Sequence, residues 1–129
     1  MIVVDASALV AIAQEEPEEM RFTTTILGAG SAWIAPVNYL EVGVVLRRRG
    51  RILSQERLDA WLESLGVALR EDVALGSAAL SAYLRFGKGF HPARLNLADC
   101  FAYALAKHLD APLLYKGDDF AQTDIRSAL

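Results

Sequence analysis

The sequence predicts one α/β domain of three layers, α/β/α, with a central parallel sheet, and three observations predict it. Short apolar runs of strand type alternate with helical runs along all 129 residues. The strand runs are separated by helical ones, so their connections are crossovers, which make strands parallel and put helices on both faces. No linker, repeat or low-complexity stretch divides the chain, and its length suits a single domain spanning 1–129.

The elements run in this order. Ile2, Val3 and Val4 read as a buried strand, and Ser7 to Gln14 as an apolar helix. Pro17 opens a second helix through "EEMRFTTTIL", with acids at its start where the helix dipole favours them, and Gly28 and Gly30 end it. "AWIAPV" reads as a strand, and "NYLEVGVVLRRR" as a helix stopped by Gly50. Ser54 caps "QERLDAWLESL", which Gly66 terminates. "VALRE" is a weak strand and "VALGSAALSAYLRF" an apolar helix. "GKGFHPARLN" is a loop, holding two glycines and a proline in ten residues. "LADCFAYALAKHL" is a helix with Leu97, Phe101, Ala104 and Leu105 on one face, and "PLLYK" is the last strand.

Composition limits the function. The chain is 53% hydrophobic and 22% charged, with a formal net charge of −3, so contact with nucleic acid requires a local basic patch. One cysteine excludes an internal disulfide and fits a reducing cytoplasm. The first apolar run carries Asp5 and no basic flank, which is not the pattern of a secretory signal. No apolar stretch approaches the ~20 residues of a bilayer span, so no membrane association is expected.

Five acids sit where acids are awkward. Asp5 ends the first strand between apolar neighbours, Glu41 lies on an apolar helix, and Asp99 lies in the first turn of another. Asp118 and Asp119 come after the last strand. The carboxyl ends of strands border the ligand crevice in open α/β sheets, which gathers these residues at one edge. Four carboxylates within about 5 Å repel by ~3 kcal/mol per pair at an effective dielectric near 20. Such a cluster makes sense around a cation, and oxygen-only ligands select a hard one, Mg²⁺ with Mn²⁺ as a substitute, over zinc. Each acid also has a structural reading. Asn38 with Glu41, and Asn96 with Asp99, have the spacing of a helix N-cap and its third-residue acid. Asp118 and Asp119 suit a turn. Asp5 has no obvious cap position, although Ser7 could begin a local turn with it.

The segments "VVDASALVAI", "APVNYLEVGVVL", "LNLADCFAYALAK" and "PLLYKGDDF" together resemble the PIN-domain family, and within it the VapC toxins of toxin–antitoxin pairs. The resemblance covers essentially the whole chain, with the motifs in the family's order. It implies a Mg²⁺-dependent endoribonuclease that cuts RNA and is held inactive by a cognate VapB-type antitoxin. It also implies a homodimer. Asp5, Glu41 and Asp99 fall on the first three acidic positions of the family's site, and Ser7 on the hydroxyl residue beside the first. The fourth acid is Asp118 or Asp119; Asp118 is preferred, since that position accepts Asp or Asn and the "DF" after it reads as structural. On this reading Asp5 and Asp99 are the main metal ligands, with Glu41 and Asp118 completing the set, and Ser7 donates a hydrogen bond rather than acting as nucleophile.

Other features carry weaker expectations. Arg47, Arg48, Arg49 and Arg51 are either a solvated helix C-terminus or a phosphate- or antitoxin-contacting rim. Arg85, Lys88, His91 and Arg94 gather at the glycine-containing loop. Cys100 reads as a small helix residue, and Trp33, Trp61, Tyr83 and Phe86 as core or interface. Two competing functions remain: a phosphoryl-transfer domain using Asp5 as nucleophile, and a non-catalytic RNA- or protein-binding scaffold. "DAS" lacks the second acid that would favour the first, and retention of every acid argues against the second.

Overall fold

In a computed structural model covering residues 1–129, four strands form one parallel sheet. They are β1 (Ile2–Val4), β2 (Ala32–Ile34), β3 (Val67–Leu69) and β4 (Leu113–Leu114). Their order across the sheet is β3-β2-β1-β4, with Val3 opposite Trp33 on one side and Leu113 on the other. The direction of winding reverses at β1. That places its carboxyl end at the switch point where open α/β sheets hold their ligands.

Six helices cover the sheet: α1 (Ala6–Ala13), α2 (Glu19–Gly28), α3 (Pro36–Arg48), α4 (Gln55–Leu65), α5 (Gly76–Phe86) and α6 (Leu97–Leu109). Alternate strand residues feed two cores, as the strand period of two demands. Ile2, Val4, Ile34 and Leu114 pack with α1 to α4, whereas Val3 and Leu113 pack with α5 and α6. The three-layer parallel architecture expected from the alternation is the one observed. The β4 edge is covered by the C-terminal tail, where the Leu113 N–H donates to the Arg126 carbonyl at 2.8 Å and the Ala128 N–H to the Leu113 carbonyl at 2.9 Å.

Several boundaries move. The second strand stops at Ile34, and α3 begins at Pro36, a proline in the first turn with fixed φ and no N–H to waste. Asn38 is therefore inside the helix rather than capping it, and Glu41 is a mid-helix residue; the cap reading of that pair is wrong. The first helix starts at Ala6 with Asp5 itself as N-cap, its side chain accepting from the Ser7 N–H. Asp5 thus does have a cap position. Leu97, read on one face with Phe101, Ala104 and Leu105, is 69% exposed, because the first residue of α6 projects beyond the core that Ala102, Ala104, Leu105 and Ala106 fill. Ser54 and Gly66 bound α4 as the sequence indicated, Gly66 at φ +77°.

Candidate active site

Three helices bring the acids together. Asp5 heads α1, Glu41 lies on α3, and Asp99 lies in the first turn of α6; α3 packs against both of the others. The loop after β4 adds a fourth acid. Asp5, Ser7, Glu41, Asp99 and Asp119 line one cavity of about 270 Å³, whose rim carries Arg49 and Lys116.

Asp5 is 3% exposed, the one buried charged residue of the chain. Its Oδ2 accepts hydrogen bonds from the Ser7 N–H at 3.0 Å and the Ser7 hydroxyl at 2.6 Å. The Ser7 hydroxyl in turn accepts from the Lys116 N–H at 3.0 Å, which ties the start of α1 to the end of β4. The other Asp5 oxygen, Oδ1, is buried and has no partner. Burial raises the Asp5 pKa above the ordinary carboxylate value, the Ser7 and backbone donors pull it back in part, and the charge of Asp119 raises it further.

Asp99 is held in the same manner. The Asn96 side chain caps α6 by accepting from the Asp99 N–H at 2.8 Å, and Asp99 Oδ2 accepts from the Asn96 N–H at 3.0 Å. This reciprocal pair is a capping box. The helix-start reading of Asp99 is correct, and Asp99 also faces the cavity. Its pKa is raised to about 7, first by burial and then by Asp5, Asp119 and Glu41, with the Asn96 N–H opposing. Burial, followed by the Asp5 charge, raises Glu41 as well. These carboxylates stand close enough to oppose one another's ionisation.

Of the two acids after β4, the one that lines the cavity is Asp119 and not the preferred Asp118. Asp119 lines the cavity and bears on Asp5 and Asp99, whereas Asp118 is exposed and does not line it. Gly117, at φ +100°, turns the chain after β4. Phe120, 2% exposed and packed on Tyr115 with ring centroids 5.1 Å apart, anchors the short turn of helix that starts there. The structural "DF" is what aims Asp119 inward.

Two contributors were not recognised as such in the sequence, where Asn38 reads as a helix cap and Lys116 carries no signal. Asn38 is wholly buried, and its Nδ2 donates to the Ala98 carbonyl at 3.0 Å; a polar residue on the inner face of an amphipathic helix was the available signal. Lys116 puts its ammonium 2.7 Å from Glu16 and 3.1 Å from Glu18 at the cavity rim. Among the other candidates, Arg47, Arg48, Arg49 and Arg51 are exposed, and Arg49 alone of them lines the acidic cavity. His91 has a structural task, its Nδ1 accepting from the Ala93 N–H at 3.0 Å and its ring meeting Phe86 edge-on. Arg85 lies over the Phe86 ring and pairs with Asp124. Cys100 is buried, and burial followed by the Asp99 charge pushes its thiol pKa up to about 11, which disfavours the thiolate.

The donor set suits a hard divalent cation. All four acids offer carboxylate oxygen, the buried Asp5 Oδ1 lacks a partner, and three of the four resist ionisation where they stand. The carboxylates line one cavity without closing to a three-ligand cluster.

The PIN domain profile matches residues 2–126. Ribonuclease VapC30 of Mycobacterium tuberculosis is 41% identical over 127 residues, covering 96% of this chain and 95% of that protein. Ribonuclease VapC of Mycolicibacterium smegmatis is 41% identical over 125 residues, covering 96% and 97%. Among solved structures, Mycobacterium tuberculosis VapC20, described as a sarcin-ricin loop cleaving toxin, superposes with a TM-score of 0.74 at 18% identity. That match covers 97% of this chain and 96% of the other, and it supports the fold.

Proposed function

Because the chain belongs to the PIN-domain family, in its VapC branch, we propose that it is a Mg²⁺-dependent endoribonuclease acting through Asp5, Glu41, Asp99 and Asp119. One observation carries the reading: the acids of three helices and one loop meet at a single cavity, where the buried Asp5 Oδ1 is unpartnered. Mg²⁺ held by carboxylates supplies an acidified water and neutralises charge developing on the phosphate.

The chain's own residues do the rest. Ser7 and Asn96 each fix one oxygen of an aspartate, Asp5 and Asp99, and leave the other for the cation. Glu41 and Asp119 complete the set. Arg49 and Lys116 flank the acids on the rim and draw the phosphates of an overall anionic substrate past them. In the hydrolysis a water oxygen bonds to phosphorus and the bond to the leaving ribose oxygen breaks. The water's proton passes to a carboxylate or to solvent, and the leaving oxygen takes a proton up.

The partner proposed is a VapB-type antitoxin. A groove of about 410 Å³ between α3 and α4, lined by Leu40, Val44, Ile52 and Leu53 among others, supports an apolar segment as occupant. Leu80, Leu84 and Phe90 are exposed around α5, which fits a second copy of the chain.

The test uses the purified chain free of antitoxin, structured RNAs, and Mg²⁺ or Mn²⁺ and then chelator. Cleavage should stop in chelator and in Asp5→Asn, and expression of the wild type alone should arrest growth where Asp5→Asn does not. Undiminished cutting in chelator refutes the metal mechanism.

A further inference from the structure

We infer that Asn38 is a positioning residue for the carboxylate site, setting the separation of Glu41 and Asp99 by cross-linking the first turns of α3 and α6. The inference rests on the nuclease reading of the acids.

Asn38 and Asp5 are the two buried polar residues of the molecule, and Asn38 is 0% exposed. The Asn38 Nδ2 donates to the Ala98 carbonyl at 3.0 Å, across 60 residues of sequence. Ala98 immediately precedes Asp99, and Glu41 stands one helical turn beyond Asn38 on the same helix. One hydrogen bond therefore joins the backbone that carries one acid to the helix that carries another.

The amide is not a well-satisfied core group. Its Oδ1 is buried with no partner, and a buried polar atom left unpaired destabilises the fold. The Ala98 carbonyl also has its ordinary helical acceptor role in α6, so the contact is not needed to satisfy the backbone. An apolar residue of similar size would pack between α3 and α6 without the unpaired oxygen. The advantage of the amide lies in direction: apolar packing lets two helices slide, whereas a hydrogen bond fixes one atom against another. Reactions that depend on several groups meeting one centre lose about a hundredfold in rate for a displacement near 1 Å.

The experiment compares wild type with Asn38→Leu, which keeps the branching at Cγ without the polar atoms, and Asn38→Ser, which keeps polarity but cannot reach Ala98. Three quantities are measured on the full chain: RNA cleavage with its kcat and KM, the Mg²⁺ concentration that half-saturates the thermal shift, and hydrogen exchange of residues 97–102. Both variants should melt cooperatively and cleave about 10- to 100-fold more slowly, with KM for RNA little changed. They should need several-fold more Mg²⁺ and should exchange faster at the start of α6. Variants that are less stable but match the wild type in kcat and Mg²⁺ midpoint overturn the assignment and leave Asn38 a packing residue. Failure of both variants to fold overturns it too, since the amide is then a folding requirement. A wild type that neither cleaves nor responds to Mg²⁺ overturns the nuclease reading itself, which the wild-type arm alone reveals.

Discussion

Replacing Asp99 with asparagine separates the two tasks of that carboxylate, because they drive stability in opposite directions. The folded Asp99 carboxyl is raised from 3.8 to about 7, by burial first and then by its acidic neighbours. A folded pKa above the unfolded one means that the native state holds the extra proton between those values, so stability falls as pH climbs from about 4 to about 7. Fully coupled, that gap is worth ~4 kcal/mol at pH 7. Asp99 is half-buried at an open cavity, and solvent screening brings the figure nearer ~2 kcal/mol. Asparagine removes this penalty and keeps an oxygen for the Asn96 N–H, but loses the charge at the helix N-terminus, worth ~0.3–1 kcal/mol. The net is a gain of ~1 kcal/mol, or a rise in Tm of about 4 °C for a domain of this size. The gain should be present at pH 8 and vanish near pH 4, where the wild-type carboxyl is protonated as well. Thermal melts at pH 4, 6 and 8, each with and without Mg²⁺, measure it directly. Mg²⁺ should stabilise the wild type but not Asp99→Asn, and the variant should not cleave RNA. A variant less stable than wild type at pH 8 that still cleaves would reduce Asp99 to a helix cap and refute the cluster.

The neighbouring acids and cations give sharper comparisons. Asp119→Asn should cut cleavage about a hundredfold, whereas Asp118→Asn, an exposed position off the cavity, should leave the rate within about twofold; parallel assays at saturating Mg²⁺ decide it. Lys116→Ala should raise KM more than it lowers kcat and should flatten the salt dependence of RNA binding by about one unit of log–log slope. An unchanged slope would confine Lys116 to its ion pairs with Glu16 and Glu18. Because Asp5, Glu41 and Asp99 all have raised pKa values, Mg²⁺ binding should expel protons and tighten as pH rises from 4 to 7. Thermal shift against Mg²⁺ across that range shows it, and a flat profile would mean that these acids are not the ligands.

Much of the fold is legible in the sequence because its signals are local. Ser54 and Gly66 declare the ends of α4, and the interrupted strand runs require parallel pairing. The candidate site is legible as a set of acids that come to line one cavity, since Asp5 and Glu41 interrupt apolar patterns. The features that sequence does not reveal depend on facing. Asp118 and Asp119 are adjacent, and the one that turns inward is decided by the left-handed turn at Gly117 and the burial of Phe120. Asn38 is disguised because its spacing to Glu41 matches a capping box. The rival start at Pro36 wins, and it carries the amide from a helix end into the core. Lys116 is hidden because nothing in "LLYKG" says that its backbone meets Ser7 across 109 residues.

The cap and ligand readings of the acids are rivals on sequence alone, yet at Asp5 and Asp99 they are two halves of one device. A carboxylate at a helix N-terminus meets N–H donors and a favourable dipole, which is a way to place a negative charge at the edge of a core. Capping engages one oxygen, Oδ2 in both residues, and thereby fixes the plane of the carboxyl and the direction of the other. The compensation is incomplete. Three donors bear on Asp5 and its pKa is still raised, because burial and Asp119 outweigh them. A site built for stability alone would have stopped at the cap, leaving the carboxylate facing water and no second acid near it. Here the fold adds acids from α3 and from the loop after β4 until each opposes the next. The charge excess left by imperfect capping is what the proposed divalent cation would neutralise, so the helix starts that position the acids also give such an ion a place to act as shared counter-ion.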